Sequence, residues 1–295
     1  MSVLQPARKE GKKFLNPVPT TVSSGSIGKI LGAYLFNKNE SFPRHLPGPF
    51  HTDTAVYATP PVSGLRITWI GHSSLLIEID GLRLLTDPVW SNRASFSAFI
   101  GPRRFFAPPI SLKDLPPLDA IIISHDHYDH LDAATIRWFA HSQVPFYCSL
   151  GVGQYLQQYG IGAQRITEMD WISQVAIGGS ATLTALPARH FSGRGLLNRF
   201  QTLWSSFAIR TGRHHIYYGA DSGWYTGFAE IGQAYGPFDL TLLEIGASNF
   251  YGPISTWGPF MRPKLTWHCK ANCSCPFTGV LSTWPFMAGR IPLKR

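Results

Sequence analysis

The chain has 295 residues, of which 44% are hydrophobic, enough for the core of one large domain or two small ones. It contains no run of eighteen apolar residues and begins with a polar, basic stretch, so we expect neither a membrane-spanning helix nor a secretory signal. Four cysteines, three of them between 269 and 275, do not make a disulfide framework, and we expect a cytoplasmic location.

The net charge of +9 is unevenly distributed along the chain. Residues 251–295 contain six basic and no acidic residues, whereas residues 1–250 contain 20 basic and 17 acidic residues. A nucleic-acid-binding domain carries its basic residues on the folded body, and this body is nearly neutral. We therefore expect no nucleic-acid partner. The composition divides the chain into an N-terminal extension (1–62), a central domain (63–250) and an aberrant basic tail rich in Trp, Pro and Cys (251–295).

The extension is rich in Pro, Gly, Ser and Thr, with a short helix predicted near residues 27–36. From Leu65 onward, short apolar runs predict strands, and Asp80-Gly81 predicts a hairpin turn. Asp132 is the predicted N-cap of a first helix, and residues 152–159 form a second. Hairpins followed by strand–helix alternation predict two sheets flanked by helices. The predicted strands cover 66–70, 74–79, 83–86, 120–124, 145–149, 181–186, 206–210 and 215–219.

Residues 124–131 read S-H-D-H-Y-D-H-L and follow a buried apolar strand. Imidazole nitrogens and carboxylate oxygens at the end of a strand are the ligands that zinc-like ions prefer. A polar surface loop is the alternative, but three histidines in six residues are uncommon in such loops. Two later strands are also followed by ligand-type residues, His190 and Asp221. Taken alone, His190 is better explained as a surface histidine, and Asp221 is equally compatible with a turn residue.

Four further segments narrow the interpretation: W-I-G-H-S-S-L-L-I-E-I-D-G (69–81), L-L-T-D-P-V-W (84–90), P-A-R-H (187–190) and G-A-D-S-G-W (219–224). With the histidine cluster they resemble the metallo-β-lactamase superfamily. Within it, they are similar to the branch that includes N-acylphosphatidylethanolamine-hydrolysing phospholipase D and its bacterial relatives. The resemblance covers roughly residues 14–249.

This resemblance implies a four-layer αββα sandwich with metal ions at one edge, between the sheets. It also implies that two ions activate a water molecule for hydrolysis, with zinc expected and manganese or iron also suited to these ligands. The implied ligands are His125, His127 and His190 for one ion, Asp129 and His130 (the implied catalytic pair) for the second, and Asp221 as the bridge.

Four other residues receive roles from the same resemblance. Asp87 is expected to accept a hydrogen bond from a ligand imidazole, and His72 to lie at the rim of the site. Arg189 and Arg194 are candidates for pairing with a substrate phosphate. The alternatives are a turn residue for Asp87, a buried strand cap for His72, and a solvated surface position for either arginine.

The resemblance breaks near residue 249. This branch carries one more ligand histidine in a late His-Trp-Gly-Thr-Phe motif, and no such motif follows Gly246. Codons compatible with residues 274–283, read from their third base, encode Leu-Pro-Ile-His-Trp-Gly-Thr-Phe-Asn. We therefore predict a slip of the reading frame near residues 249–250, loss of the last strand and helix, and an incomplete second metal site. The alternative is a diverged tail, with a weak metal-knuckle pattern at His268, Cys269, Cys273 and Cys275.

The expected function is metal-dependent hydrolysis of a phosphodiester, of the phospholipase D type, in N-acylphosphatidylethanolamine-like lipids. The expected partner is therefore a phospholipid or another small molecule, with peripheral membrane contact as a further expectation. The missing terminal histidine favours an alternative, a catalytically impaired relative that binds metal or ligand without efficient turnover. Neither the oligomeric state nor the physiological substrate follows from the sequence.

Overall fold

The computed structural model describes residues 2–20, 45–46, 48–97, 99, 101–195 and 197–244, together with the backbone of 274–278. A short antiparallel pair near the N-terminus, β1 (Lys9–Glu10) and β2 (Lys13–Phe14), precedes two six-stranded sheets. Both sheets are mixed, with antiparallel pairs at one side and parallel pairs at the other.

The first sheet contains its strands in sequence order and carries the histidine cluster. Its second and third strands are connected by a two-residue turn at Asp80 and Gly81, both with positive φ, as hairpins of this kind require. Its third to sixth strands are parallel. The strands are β3 (Leu65–Gly71), β4 (Ser74–Ile79), β5 (Leu82–Thr86), β6 (Ala120–Ile123), β7 (Phe146–Ser149) and β8 (Ile166–Met169).

The second sheet also follows sequence order, and its last three strands run parallel. Its strands are β9 (Gln174–Ile177), β10 (Ala181–Leu186), β11 (Ser206–Arg210), β12 (His215–Tyr218), β13 (Leu240–Glu244) and β14 (Ser274–Thr278).

The core lies in three apolar layers that account for the stacking of the sheets and helices. Between the sheets, Ile77 and Leu84 of the first pack with Leu183 and Phe207 of the second. The outer face of the first sheet is covered by the helices α1 (Ala133–Trp138) and α2 (Gly153–Gln158), through residues such as Ile136 and Leu156. The outer face of the second packs on Phe228 and Ile231 of α3 (Gly227–Tyr235). The predicted αββα sandwich is confirmed.

One part of the fold prediction is wrong, because the last strand is present. The backbone of β14 pairs in parallel with β13 at the edge of the second sheet. Strand pairing uses main-chain groups, so it does not require particular side chains, and an edge position tolerates Pro276. The predicted helix at 27–36, the cysteine pattern, the last helix and the predicted break at 249–250 lie outside the described residues, apart from the backbone of Cys275.

The N-terminal extension packs against the central domain over residues 2–20. Val3 is buried with Phe228 beside the second sheet, and Phe14 is buried with Trp204. The helices in the described part of the chain are too short or too polar to cross a bilayer.

Candidate metal centre

The histidine cluster begins where β6 ends. All four residues of β6 are buried, so the strand is fixed between the core layers, and the polar residues start at Ser124. A tight turn follows, in which the amides of His130 and Leu131 donate to the carbonyl of His127, at 3.1 and 2.8 Å. This turn folds the segment back on itself and brings three imidazoles that are near in sequence to one side of the loop.

Three imidazoles from two strand ends converge on one point. His127 Nδ1 lies 2.8 Å from His125 Nε2 and 3.2 Å from His190 Nε2, although His190 follows β10 in the other sheet. The rings of His125 and His190 are buried. One nitrogen from each ring lies within 4.8 Å of the others, which is close enough for a shared cation.

Asp221 lies between this triad and His130. Its Oδ2 atom is 3.3 Å from His130 Nε2 and 3.6 Å from His190 Nε2. The backbone reaches this position through Ala220, whose φ of +47° is in the left-handed region that a non-glycine residue rarely adopts. Such a conformation persists only where the surrounding structure enforces it, and it often marks a functional site.

A third group lies on the other side of His130 and contains His72 and Asp129. His72 Nε2 is 3.0 Å from Asp129 Oδ2, and the rings of His72 and His130 are 5.1 Å apart. The Asp129 side chain is 32% exposed, whereas that of His130 is fully buried, so the cluster opens to solvent at Asp129. His72, predicted for the rim, thus approaches Asp129 as closely as the histidines of the triad approach one another.

Asp87 holds two of the imidazoles in defined tautomers. Its Oδ2 atom is 2.7 Å from His130 Nδ1, and because a carboxylate only accepts, that nitrogen carries the proton. The Ser124 hydroxyl also donates to Asp87, at 2.5 Å, and therefore accepts from His125 Nδ1 at 2.9 Å. Both imidazoles thus have Nδ1 engaged by these partners and Nε2 directed into the cluster, the arrangement in which histidine binds metals.

The histidines of the cluster differ in the direction in which their pKa values are shifted. Burial lowers the pKa of His190 to about 3, and burial also lowers the pKa of His125 and of His127. For His130, burial acts in the same direction, but Asp221, Asp129 and Asp87 outweigh it and raise the pKa well above the ordinary value. Three carboxylates thus favour a positive charge at His130, the point of the cluster where a cation would act.

Several buried polar atoms of the cluster have no hydrogen-bond partner among the described residues. They are His72 Nδ1 and Nε2, His130 Nε2, His190 Nδ1 and Asp221 Oδ1. Leaving such atoms unpaired is costly, and unpaired buried groups are uncommon in folded proteins. Nitrogen and carboxylate donors that converge without hydrogen bonds fit a divalent cation of the zinc type.

Both candidate arginines form hydrogen bonds with other groups of the protein. Arg194 donates to the carbonyls of Asp126 and Leu131, at 2.7 and 2.9 Å, with its guanidinium 3.9 Å from the centre of the Tyr128 ring. Arg189 donates to the Trp224 carbonyl at 2.8 Å and to the Thr20 hydroxyl at 3.1 Å. These contacts hold the loops around the cluster, and substrate binding by either arginine remains a prediction.

Sequence reasoning missed three supports of the cluster. The Asn16 side chain accepts from the backbone N–H of His190 and donates to its carbonyl, at 3.0 and 2.8 Å. The Tyr218 hydroxyl donates to Asp87 Oδ2 at 2.6 Å, and Asp126 accepts from the Gly193 amide at 2.7 Å. Asp126 lies within the segment 124–131 and Tyr218 directly precedes the segment 219–224, so the sequence offered a signal for both. Asn16 is 174 residues from its partner and carries no such signal.

Comparisons with known proteins agree with this architecture. Residues 82–266 match the family model described as Beta-lactamase superfamily domain. This range runs past the predicted break at 249–250, which stays a prediction. An uncharacterized protein of Mycobacterium tuberculosis is 50% identical over 192 residues, 65% of this chain and 51% of that protein. The chain thus spans about half the length of this relative.

A second relative and a solved structure are also similar. The N-acyl-phosphatidylethanolamine-hydrolyzing phospholipase D 1 of Caenorhabditis elegans is 36% identical over 257 residues, 81% of this chain and 72% of that protein. Igni18, a metallo hydrolase from Ignicoccus hospitalis, covers 76% of this chain and 86% of its own, with a TM-score of 0.57 at 20% identity, a likeness of fold alone. The chain belongs to the metallo-β-lactamase superfamily and resembles, within it, the branch of the N-acyl-phosphatidylethanolamine-hydrolyzing phospholipases D.

Proposed function

We propose that this protein is a metal-dependent hydrolase that cleaves a phosphodiester bond, on the phospholipase D side, in N-acylphosphatidylethanolamine-like lipids. The observation that carries the proposal is the convergence of His125, His127, His190 and Asp221, which arrive from the ends of three strands in two sheets. The substrate class rests on similarity to the nematode phospholipase D, which is 36% identical.

The proposed ligand sets follow the groups in the cluster. His125, His127 and His190 would hold one ion, Asp129 and His130 a second, and Asp221 would contact both. Zinc is the proposed metal because imidazole and carboxylate donors suit it, and these donors also accept manganese or iron. When bound, the cations would lower the pKa of water enough to supply a nucleophile at neutral pH, and they would neutralise the charge that develops on phosphate oxygens.

The protein's own residues orient the ligands and open the site on one side. Asp87 and Ser124 engage the Nδ1 atoms of His130 and His125, so that the Nε2 atoms of both rings are directed into the cluster. Burial of these rings excludes bulk water from one face, so electrostatic interactions there are stronger than in solvent. The partly exposed Asp129 marks the face from which a substrate phosphate would approach.

Exposed apolar side chains near this face support a lipid as the substrate. Phe96 is 79% exposed, and its ring lies 6.5 Å from that of Tyr128, a residue of the ligand loop. Phe99 is 88% exposed, and Leu197, three residues after Arg194, is 93% exposed; the carbonyl of Arg194 accepts from the Tyr128 hydroxyl. Large exposed apolar side chains occur at interaction surfaces, and we propose peripheral contact with a lipid surface here.

The proposal is tested by assaying the chain with added zinc or manganese on bis(p-nitrophenyl) phosphate and on vesicles that contain N-acylphosphatidylethanolamine. We expect release of p-nitrophenol, and of phosphatidic acid from the vesicles, both abolished by His127→Ala. Metal-dependent turnover of the model diester without lipid cleavage would reject the lipid assignment and leave the hydrolase. Lack of turnover by a protein that binds metal would instead support the catalytically impaired relative, which the missing terminal histidine favours.

A further inference from the structure

His72 takes no part in the ligand sets proposed above, yet its environment is unusual for a rim residue. It lies in the turn between β3 and β4 with a φ of +50°, a left-handed conformation that glycine and asparagine adopt more readily. The indole Nε1 of Trp69 donates to the His72 carbonyl at 2.9 Å and fixes the turn. The backbone is therefore held in an unfavourable conformation that places this imidazole beside the cluster.

The His72 ring is enclosed without a hydrogen bond. Both of its nitrogens are buried, and neither has a hydrogen-bond partner in the described part of the chain. Nε2 lies 3.0 Å from Asp129 Oδ2, but the ring N–H is not aligned with that oxygen as a hydrogen bond requires. Two donor atoms that are close together but not hydrogen bonded to each other suit a common ion.

Another histidine–aspartate pair in the same protein shows the ordinary arrangement. His214 Nδ1 forms a normal hydrogen bond with Asp80 Oδ1 at 2.9 Å, at the opposite end of the sheets. The two histidine side chains are similarly exposed, 16% for His214 and 12% for His72. Burial therefore does not explain the difference, and the His72–Asp129 geometry is particular to the cluster.

One donor atom each from His72, Asp129 and His130 lies within 4.8 Å of the other two. Ligand atoms bound to one tetrahedral zinc ion are separated by about 3.4 Å, given bond lengths of about 2.1 Å. Small side-chain movements thus bring the three atoms onto a common ion. His130 is shared with the group that contains His125 and Asp221, so the ion would lie next to the first site.

We propose that His72 is a metal ligand, which completes with Asp129 and His130 a second cation site beside the His125–His127–His190 site. This proposal rests on the proposed function, because it assumes that the cluster binds divalent ions at all. In this arrangement the β3–β4 turn provides the ligand that the tail lacks, since no His-Trp-Gly-Thr-Phe motif follows Gly246. The second site then contains two imidazoles and a carboxylate from the described residues, with Asp221 within reach.

The test measures zinc binding by the full-length chain, by elemental analysis and by competition with a chromophoric chelator. The variant is His72→Asn, because asparagine tolerates the left-handed backbone, and the matched control is His214→Asn. We expect two ions per chain for the wild type and for the control. His72→Asn should keep one ion unchanged and bind the second at least about tenfold more weakly. Loss of a residue that only hydrogen-bonds to a metal ligand already lowers metal affinity by this factor.

A second readout distinguishes a ligand from a residue that only positions Asp129, and it needs no variant to fold. In spectra of the wild-type chain labelled with ¹⁵N-histidine, the His72 ring nitrogen should lose its proton and move to the metal-bound range with the second equivalent of zinc. A His72 ring that keeps its free shifts, or His72→Asn binding the second ion within twofold of wild type, overturns the proposal.

The remaining outcomes separate this proposal from the proposed function. Wild-type protein with a single ion, removed by His127→Ala and unaffected by His72→Asn, rejects the second site and leaves the hydrolase proposal intact. Wild-type protein that binds no zinc or cobalt rejects both.

Discussion

Asp87 Oδ2 lies 2.7 Å from His130 Nδ1, and both side chains are completely buried. The same oxygen accepts from the hydroxyls of Ser124 and Tyr218. One carboxylate therefore determines the orientation of His130 directly and that of His125 through Ser124.

Replacing Asp87 should weaken metal binding without touching a proposed ligand. Asp87→Asn tolerates the local φ of +36°, but an amide accepts less well and carries no charge. We expect zinc affinity to fall by about 10- to 100-fold, the range known for partners of ligand histidines. Chelator competition measures this, with Tyr218→Phe as a milder control that keeps the carboxylate. Affinity of Asp87→Asn within threefold of wild type would contradict this role.

Metal should stabilise the fold through the triad. A ligand that binds only the native state raises the free energy of unfolding by about 2.7 kcal/mol at a concentration 100 times its Kd. We therefore expect zinc to raise the Tm of the wild type in calorimetry and a chelator to reverse the increase. His127→Ala should remove the increase, whereas His141→Ala, outside the cluster, should keep it. An equal zinc effect in His127→Ala would show that the ion binds elsewhere.

Arg194→Ala distinguishes loop support from substrate binding. The guanidinium donates hydrogen bonds to two carbonyls of the segment 124–131. A hydrogen bond that involves a charged group contributes about 1.5–3 kcal/mol. We expect a loss of roughly 2–3 kcal/mol in the free energy of unfolding, measured by denaturant titration, with a lower kcat. Unchanged stability with a raised KM would instead support the phosphate-binding role expected from the sequence.

Acid should weaken the hydrogen bonds by which Asp80, in the turn between β4 and β5, contacts Thr211 and His214 of the second sheet. Burial raises the pKa of this carboxyl, but hydrogen bonds from Thr211 and His214 outweigh burial and hold it below the ordinary value of 3.8. The folded pKa is thus lower than the unfolded one, so the stabilisation is complete above about pH 5 and is lost as the pH falls through the folded pKa. Denaturant titrations with a chelator present should show a smaller loss between pH 5 and 3 in Asp80→Asn. Equal slopes would exclude this contribution.

The coding DNA tests the predicted slip of the reading frame. We expect an inserted or deleted base near codons 245–255, and downstream codons that encode the His-Trp-Gly-Thr-Phe motif when read in the shifted frame. A chain with the frame restored should bind the second ion more tightly, because a histidine would then stand near the end of β14. An intact frame whose codons cannot be read this way would contradict the prediction.

Strong local signals made part of the fold predictable. β4 was predicted at its observed bounds because an apolar run ends at the Asp80-Gly81 turn, and α1 because Asp132 caps it. Besides β14, six of the labelled elements were not predicted: β1, β2, β8, β9, β13 and α3. The strands are short and partly exposed or lack a turn signal, and α3 contains Gly227 and Gly232, which disfavour a helix. Packing against the second sheet stabilises α3 in spite of its sequence.

In the candidate site, too, local sequence signals identified some residues, whereas others depend on contacts between distant segments. The ligand-type residues near β6 could be identified because they lie within six positions of one another. The closeness of His72 to Asp129 and the support of His190 by Asn16 depend on contacts between segments far apart in the chain. Strand order brings these segments together, and no local pattern encodes it.

The double hydrogen bond between Asn16 and the backbone of His190 has a practical consequence. The first twenty residues belong to the N-terminal extension, outside the central domain, and trimming them would be a natural step in producing crystals. Removing them would free the loop that carries His190 and uncover the pockets filled by Val3 and Phe14. Loss of zinc from a shortened protein would then reflect the truncation and would not measure the zinc affinity of the intact site.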